Sequence, residues 1–205
     1  SAVTVILRTK GCYWWWSSGC TFCGYFNDTR DDVTSENLHS QWALAKQKYD
    51  NFAEQKMVKI YTSGSLLEDR EIPLDFQETV LRDCYELGKE LIVESRCEQL
   101  TKEKLSWATS INPTFTVAVG LEAYDDEVLR FHINKGFSTR AWDRAVENLR
   151  DFNIRIKTYL MFKPPFMSER DALDHGVRWI KDVAERSDEI SVNPMNIQRG
   201  TVIDR

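Results

Sequence analysis

No stretch of this 205-residue sequence comes near the roughly 18–20 consecutive apolar residues of a membrane span, and its first residues lack the layout of a secretion signal. Repeats of 20–50 residues, low-complexity tracts and linker-like stretches are also missing, which excludes solenoids and beaded architectures. Basic charge is in the minority, 27 Lys and Arg against 32 Asp and Glu, for a net charge of −5. That balance argues against a generic polyanion binder, whose affinity comes from clustered cations. Histidine is scarce, and His39, His132 and His175 all fall inside helical patterns. With neither a metal spacing nor a nucleophile partner, they are read as packing or surface residues. The five cysteines are an odd number with three of them inside twelve residues, which is no disulfide framework. A soluble cytoplasmic protein is the expectation, and its cysteine cluster is the first candidate for a metal site.

What the sequence does have is an alternation of short β-branched runs with longer amphipathic segments. Strands are expected at Thr4–Arg8, Val58–Thr62, Leu91–Glu94, Phe115–Val119, Ile154–Met161 and Glu189–Ile197. Between them, helices are expected at Ser35–Asn51, Asp75–Leu87, Thr101–Trp107, Asp125–Ile133, Thr139–Phe152 and Ser168–Arg186. Strand–helix alternation implies a parallel sheet covered by helices, and the strands are apolar enough to be covered on more than one side. A doubly wound sheet and a complete or partial barrel both fit this pattern. In a barrel, chemistry gathers at the C-terminal ends of the strands.

Cys12-x7-Cys20-x2-Cys23 lies just past the first strand. Thiolates favour zinc or iron–sulfur clusters. A structural zinc site is closed by four ligands, whereas this motif supplies three: Cys84 falls mid-helix, and Cys97 and His39 are distant in sequence. Three ligands leave one iron of a cluster open to a small molecule, so the cluster is favoured and zinc is the alternative. The neighbouring Trp14-Trp15-Trp16 either shields and packs that loop or stacks on a nucleobase.

Polar or glycine-containing sequence follows each later strand. Thr62-Ser63-Gly64-Ser65 comes after strand two and reads either as a ligand-facing segment or as an ordinary turn. Glu94-Ser95-Arg96 closes strand three, and its two charged side chains either meet a ligand or pair with each other at the surface. Asp125-Asp126 is read as a helix N-cap. Lys163, before two prolines, faces either a substrate or solvent, and Asn193 is a weaker ligand candidate near the end of strand six.

The three-cysteine loop after a first strand, with Phe22 just before the third cysteine, resembles the radical S-adenosylmethionine (SAM) superfamily, although most members space the first two cysteines by three. Val119-Gly120-Leu121-Glu122, Asp125-Asp126-Glu127-Val128-Leu129 and Ile133-Asn134-Lys135-Gly136 resemble the strand-four region of its elongator-like and coproporphyrinogen-oxidase-like branches. Several blocks together resemble the archaeal radical SAM subunits of archaeosine synthase, an elongator-related family. These are Gly11–Trp14, Ser18–Tyr25, Tyr61–Ser65, Ile133–Phe137 and Phe162–Phe166.

The resemblance implies an α/β fold, a partial (β/α)6 barrel of the radical SAM type. It implies a [4Fe–4S] cluster on Cys12, Cys20 and Cys23, with Phe22 against it, and SAM as cofactor. Contacts to SAM would come from Ser63, Gly64, Ser65, Glu94, Arg96, Glu122, Lys135 and Asn193. The implied reaction abstracts hydrogen, through a 5′-deoxyadenosyl radical, from a lysine attached to 7-deazaguanine in the tRNA D-loop. Cleavage of the C–N bond then leaves archaeosine. The implied partners are tRNA, the transglycosylase-like subunit that attaches the lysine, and a one-electron reductase, with no membrane. Residues 1–205 are expected to be the core domain of a longer protein, because the sequence stops straight after its sixth strand. An elongator-like or methylthiotransferase-like enzyme, or a non-catalytic zinc module, are the competing readings.

Overall fold

The computed structural model describes residues 1–49 and 52–205. Six strands form one parallel sheet: β1 Ala2–Ile6, β2 Met57–Tyr61, β3 Glu90–Ser95, β4 Phe115–Glu122, β5 Arg155–Phe162 and β6 Glu189–Pro194. Their order in the sheet is their order in the chain. Every crossover therefore steps the same way, whereas a doubly wound sheet reverses its order at a switch point. The curled sheet is a partial (β/α)6 barrel, and the doubly wound alternative falls away.

Helices α1 Tyr13–Ser17, α2 Ser35–Lys48, α3 Leu74–Glu86, α4 Lys102–Ile111, α5 Thr139–Asp151 and α6 Glu169–Ala184 make up the connections. The sequence expectation for α2 reached Asn51, which lies outside the described residues. Thr34 caps α2 through a reciprocal pair with Asn37, so two backbone N–H groups at the helix start are satisfied. Asp125 caps the turn after β4, its Oδ1 accepting from the N–H groups of Glu127 and Val128. That segment winds as a π-helical turn over Val128–Ile133 rather than as an α-helix from 125. Strand β1 ends earlier than expected because Gln41 captures both backbone groups of Arg8.

The two faces of the sheet differ. Val58, Ile60, Val93, Val117, Val119 and Ile156 point outward and are buried beneath the helices. Phe76, Val80 and Leu81 of α3, Trp142 and Leu149 of α5, and Trp179 of α6 supply the opposing apolar surface. The concave face is different from the two-sided apolar cover expected from sequence. There the alternate residues include Tyr61, Glu94, Glu122, Lys157 and Tyr159, and they line a cavity. Period-2 alternation thus separates a packed shell from a polar interior. No helix among the described residues is long and apolar enough to cross a membrane.

Candidate functional site

The cavity encloses about 710 Å³. Cys12, Cys20 and Cys23 all stand on its wall, half-buried and free of disulfides. The seven-residue gap between the first two has a structural cause: α1 fits inside it, starting directly after Cys12. Trp15 donates its N–H to the Cys12 carbonyl, and the N–H groups of Ser18 and Gly19 both donate to the Trp14 carbonyl, which turns the chain back. The Cys23 N–H then donates to the Cys20 carbonyl, closing the loop.

Packing fixes α1 in place. Trp15 stacks on Phe26 with centroids 3.7 Å apart and planes 3° apart, and the Trp14 indole donates to the Asn134 carbonyl at 2.7 Å. These contacts support the shielding and packing reading for Trp14 and Trp15, which both line the cavity. Trp16 faces outward, its indole N–H held by the Lys10 carbonyl.

Cations stand beside the thiols. Lys135 is buried with its Nζ 3.0 Å from Glu122 Oε1. Burial works against its charge, but Glu122 and Cys20 outweigh it and keep the ammonium protonated. Arg96 pairs with Glu98 at 2.8 Å and donates to the Lys135 carbonyl at 2.8 Å. Its guanidinium also lies over the rings of Tyr13, Trp14 and Phe137. Arg96 therefore does not pair with Glu94, and it is buried rather than at the surface. Burial pushes the Cys20 thiol up, while Lys135 and Arg96 pull it back, and burial lifts Cys23 to about 11.

Backbone geometry places the carboxylates. A bulge between Gly120 and Glu122 breaks the register of β4, and Glu122 takes a left-handed φ of 72°. Such strain in a non-glycine residue is found where a side chain must be re-aimed. A Cβ on Gly120 would stand 2.7 Å from Glu122 Oε1 and 3.2 Å from Lys135 Nζ, so a side chain there would push the tips of the pair aside. Gly64 is more tightly constrained, because a Cβ there would stand 2.9 Å from the Cys12 Cα, which is backbone. Burial raises Glu94, which lines the same cavity, to about 8.

Of the residues singled out from sequence, Phe22, Ser63, Gly64, Glu94, Arg96, Glu122, Lys135 and Asn193 share the cavity with the three cysteines. Ser65 does not: it is buried behind the wall, its Oγ accepting from the Arg96 N–H. Lys163 does not either, and pairs with Glu169 at 3.0 Å. The histidines stay out of the cavity.

Sequence reasoning missed Glu71, which is fully buried and accepts from Thr9 Oγ1 at 2.5 Å and from the Ser65 N–H at 2.7 Å. It thereby ties the loop before Cys12 to the loop after β2. Nothing in the sequence marks it. Tyr61, Lys157 and Tyr159 were missed as well, although the alternation within β5 carried a signal for the last two.

Three thiols on one wall, with two cations near them, suit a thiolate-bound iron–sulfur cluster. Among the described residues no three His, Cys, Asp or Glu side chains converge closely enough to hold a single ion. A four-iron cluster is a larger body and does not require that convergence.

No family model matches the sequence. The archaeosine synthase subunit beta of Methanosarcina acetivorans is 37% identical over 207 residues, covering 98% of this chain and 60% of that protein. The protein of the same name from Thermococcus kodakarensis is 30% identical over 211 residues, covering 100% and 65%. The chain thus spans about three-fifths of these relatives' length. Among solved structures, methylornithine synthase superposes with a TM-score of 0.70 at 14% identity, covering 98% of this chain and 56% of that one. Elp3 of Methanocaldococcus infernus gives 0.66 at 13% identity, covering 100% and 47%. Coproporphyrinogen III oxidase of Escherichia coli, titled a radical SAM enzyme, gives 0.59 at 13% identity, covering 100% and 45%.

Proposed function

From a chain that has the radical SAM fold and resembles archaeosine synthase subunit beta along its whole length, we propose a radical SAM C–N lyase core that acts on lysine-modified 7-deazaguanine in tRNA. The observation that carries this reading is that Cys12, Cys20 and Cys23 line the same cavity as the Glu122–Lys135 pair. The three thiols would hold a [4Fe–4S] cluster, which together with SAM would supply one-electron chemistry for hydrogen abstraction from the substrate.

Around that centre the residues have separate tasks. Phe22 covers the cysteine loop from within the cavity. Ser63 and Gly64 offer backbone to the SAM amino group, and Ser65 braces them from behind through Arg96. Lys135 and Arg96 offset negative charge at the thiolates and the SAM carboxylate. Glu94, Glu122 and Asn193 reach polar atoms of SAM, its ribose among them. Trp14 and Trp15 keep water from the cysteine loop.

On this reading residues 1–205 are the core domain of a cytoplasmic enzyme. The lysine-attaching transglycosylase-like subunit acts first, and a one-electron reductase feeds the cluster. An acidic core leaves most phosphate contacts to the partner subunit or to further chain. Anaerobic incubation with SAM, dithionite, lysine-bearing tRNA and the partner subunit tests the proposal. Archaeosine, found by mass spectrometry of digested tRNA, is the expected product. No archaeosine from protein with an intact cluster would overturn the substrate.

A further inference from the structure

Of the residues proposed to contact SAM, Glu94 alone stands in the row that forms the cavity floor, and Lys157 and Tyr159 beside it have no task in that reading. Strand register draws that floor as one continuous row. Ile6 pairs with Tyr61, Glu94 with Ala118, Ala118 with Lys157, and Lys157 with Glu189. Tyr61 lies beside Glu94, one step beyond the Ile60–Val93 pair. One row higher, Gly120 pairs with Tyr159. Ala118 and Gly120 open the middle of the floor, and Lys157 and Tyr159 bound it on one side.

Lys157 is the cation of this floor, and its side chain is only 13% exposed. Its Nζ is held by Glu189, at the outer side of the row, and lies 5.6 Å from the Tyr159 ring centroid. An ammonium has three donors and this ion pair uses one, so two are left for a ligand. The Tyr159 phenol lies against that of Tyr61, and burial pushes its pKa up, so it remains a neutral donor. An ammonium with spare donors and a protonated phenol make a carboxylate site.

We propose that Lys157 and Tyr159 bind the carboxylate of the substrate's lysine tail. This rests on the function proposed above. It deepens that reading by assigning the substrate's amino-acid end to the barrel floor. The C–N bond then stays higher, towards the cysteines. Interior rows two residues apart are separated by roughly 6–7 Å along the strands, a distance comparable to an extended lysine tail.

The test pairs two substrates with variants of the enzyme complex. One tRNA carries lysine on the modified base; the other carries 1,5-diaminopentane, the same chain without the carboxylate. Lys157→Met is expected to raise KM for the lysine-bearing tRNA roughly ten- to a hundredfold, the scale of a charge-assisted hydrogen bond. For the diamine-bearing tRNA, already a poorer substrate of the unaltered enzyme, the change should be below threefold, and KM for SAM should shift less than twofold. Glu189→Gln, which removes only the ion pair, should stay within threefold on both substrates. Equal losses on the two substrates, or a matching rise in KM for SAM, would overturn the subsite. If Lys157→Met does not fold, Tyr159→Phe decides by the same substrate comparison. Unaltered enzyme that cleaves SAM but neither tRNA would refute the proposed function itself, and the subsite with it.

Discussion

Lys135 and Glu122 hold opposite charges 3.0 Å apart with little solvent to screen them. Removing one partner of such a pair is far worse than removing both, because the survivor is a buried charge without compensation. Lys135→Met should therefore destabilise the protein by roughly 3–5 kcal/mol, seen as a lower urea midpoint. Adding Glu122→Gln should recover most of that stability while SAM binding stays lost. If the double variant binds SAM normally, the pair is only structural. Glu71 gives a different signature. Folding raises its pKa from the ordinary carboxylate value of 4.5 to about 7, burial being the main cause. The folded protein therefore binds this proton more tightly than the unfolded chain does. Its stabilising contribution is complete below pH 4.5 and is lost as pH rises through 7. Glu71→Gln should flatten the stability profile across that window in denaturant titrations at stepped pH. An unchanged slope would contradict the assignment.

The legible elements were those whose burial follows a period. β2, β3 and β5, and helices α2, α3, α5 and α6, start and stop within about two residues of the sequence expectation, as far as the described residues go. α1 was not legible. Tyr13-Trp14-Trp15-Trp16-Ser17 is too short for a helical period to emerge, and its contacts are to Phe26 and Asn134, elsewhere in the chain. The bulge in β4 was equally hidden, since an extra residue in a strand leaves no mark until its neighbours are paired. So the sequence motif located Glu122, while only register explains how its side chain reaches the cavity. The loop after β2 also comes close to the cysteine loop. A Cβ on Gly64 meets backbone at Cys12, and backbone cannot rotate away. Gly64→Ala should reduce reconstituted iron to below half of the unaltered level, with far-ultraviolet circular dichroism retained. Full iron loading would show that the cysteine loop can shift freely.

At the scale of the whole molecule, the partial barrel puts an apolar shell under the helices and a polar cavity inside the curl, with the cysteines on the wall of that cavity. Fold of this kind is shared by structures with quite different names, so the substrate has to be argued from the site and from the relatives, not from the barrel. Within that cavity, Cys12, Cys20 and Cys23 are proposed to bind a cluster that cleaves SAM. Anaerobic reconstitution with iron and sulfide, followed by reduction in the presence of SAM, tests it most directly. The expected result is a brown protein absorbing near ~400 nm, as iron–sulfur charge transfer does, that forms 5′-deoxyadenosine and loses both properties when any of the three cysteines is changed to alanine. A colourless protein holding one tightly bound zinc and forming no 5′-deoxyadenosine would contradict it.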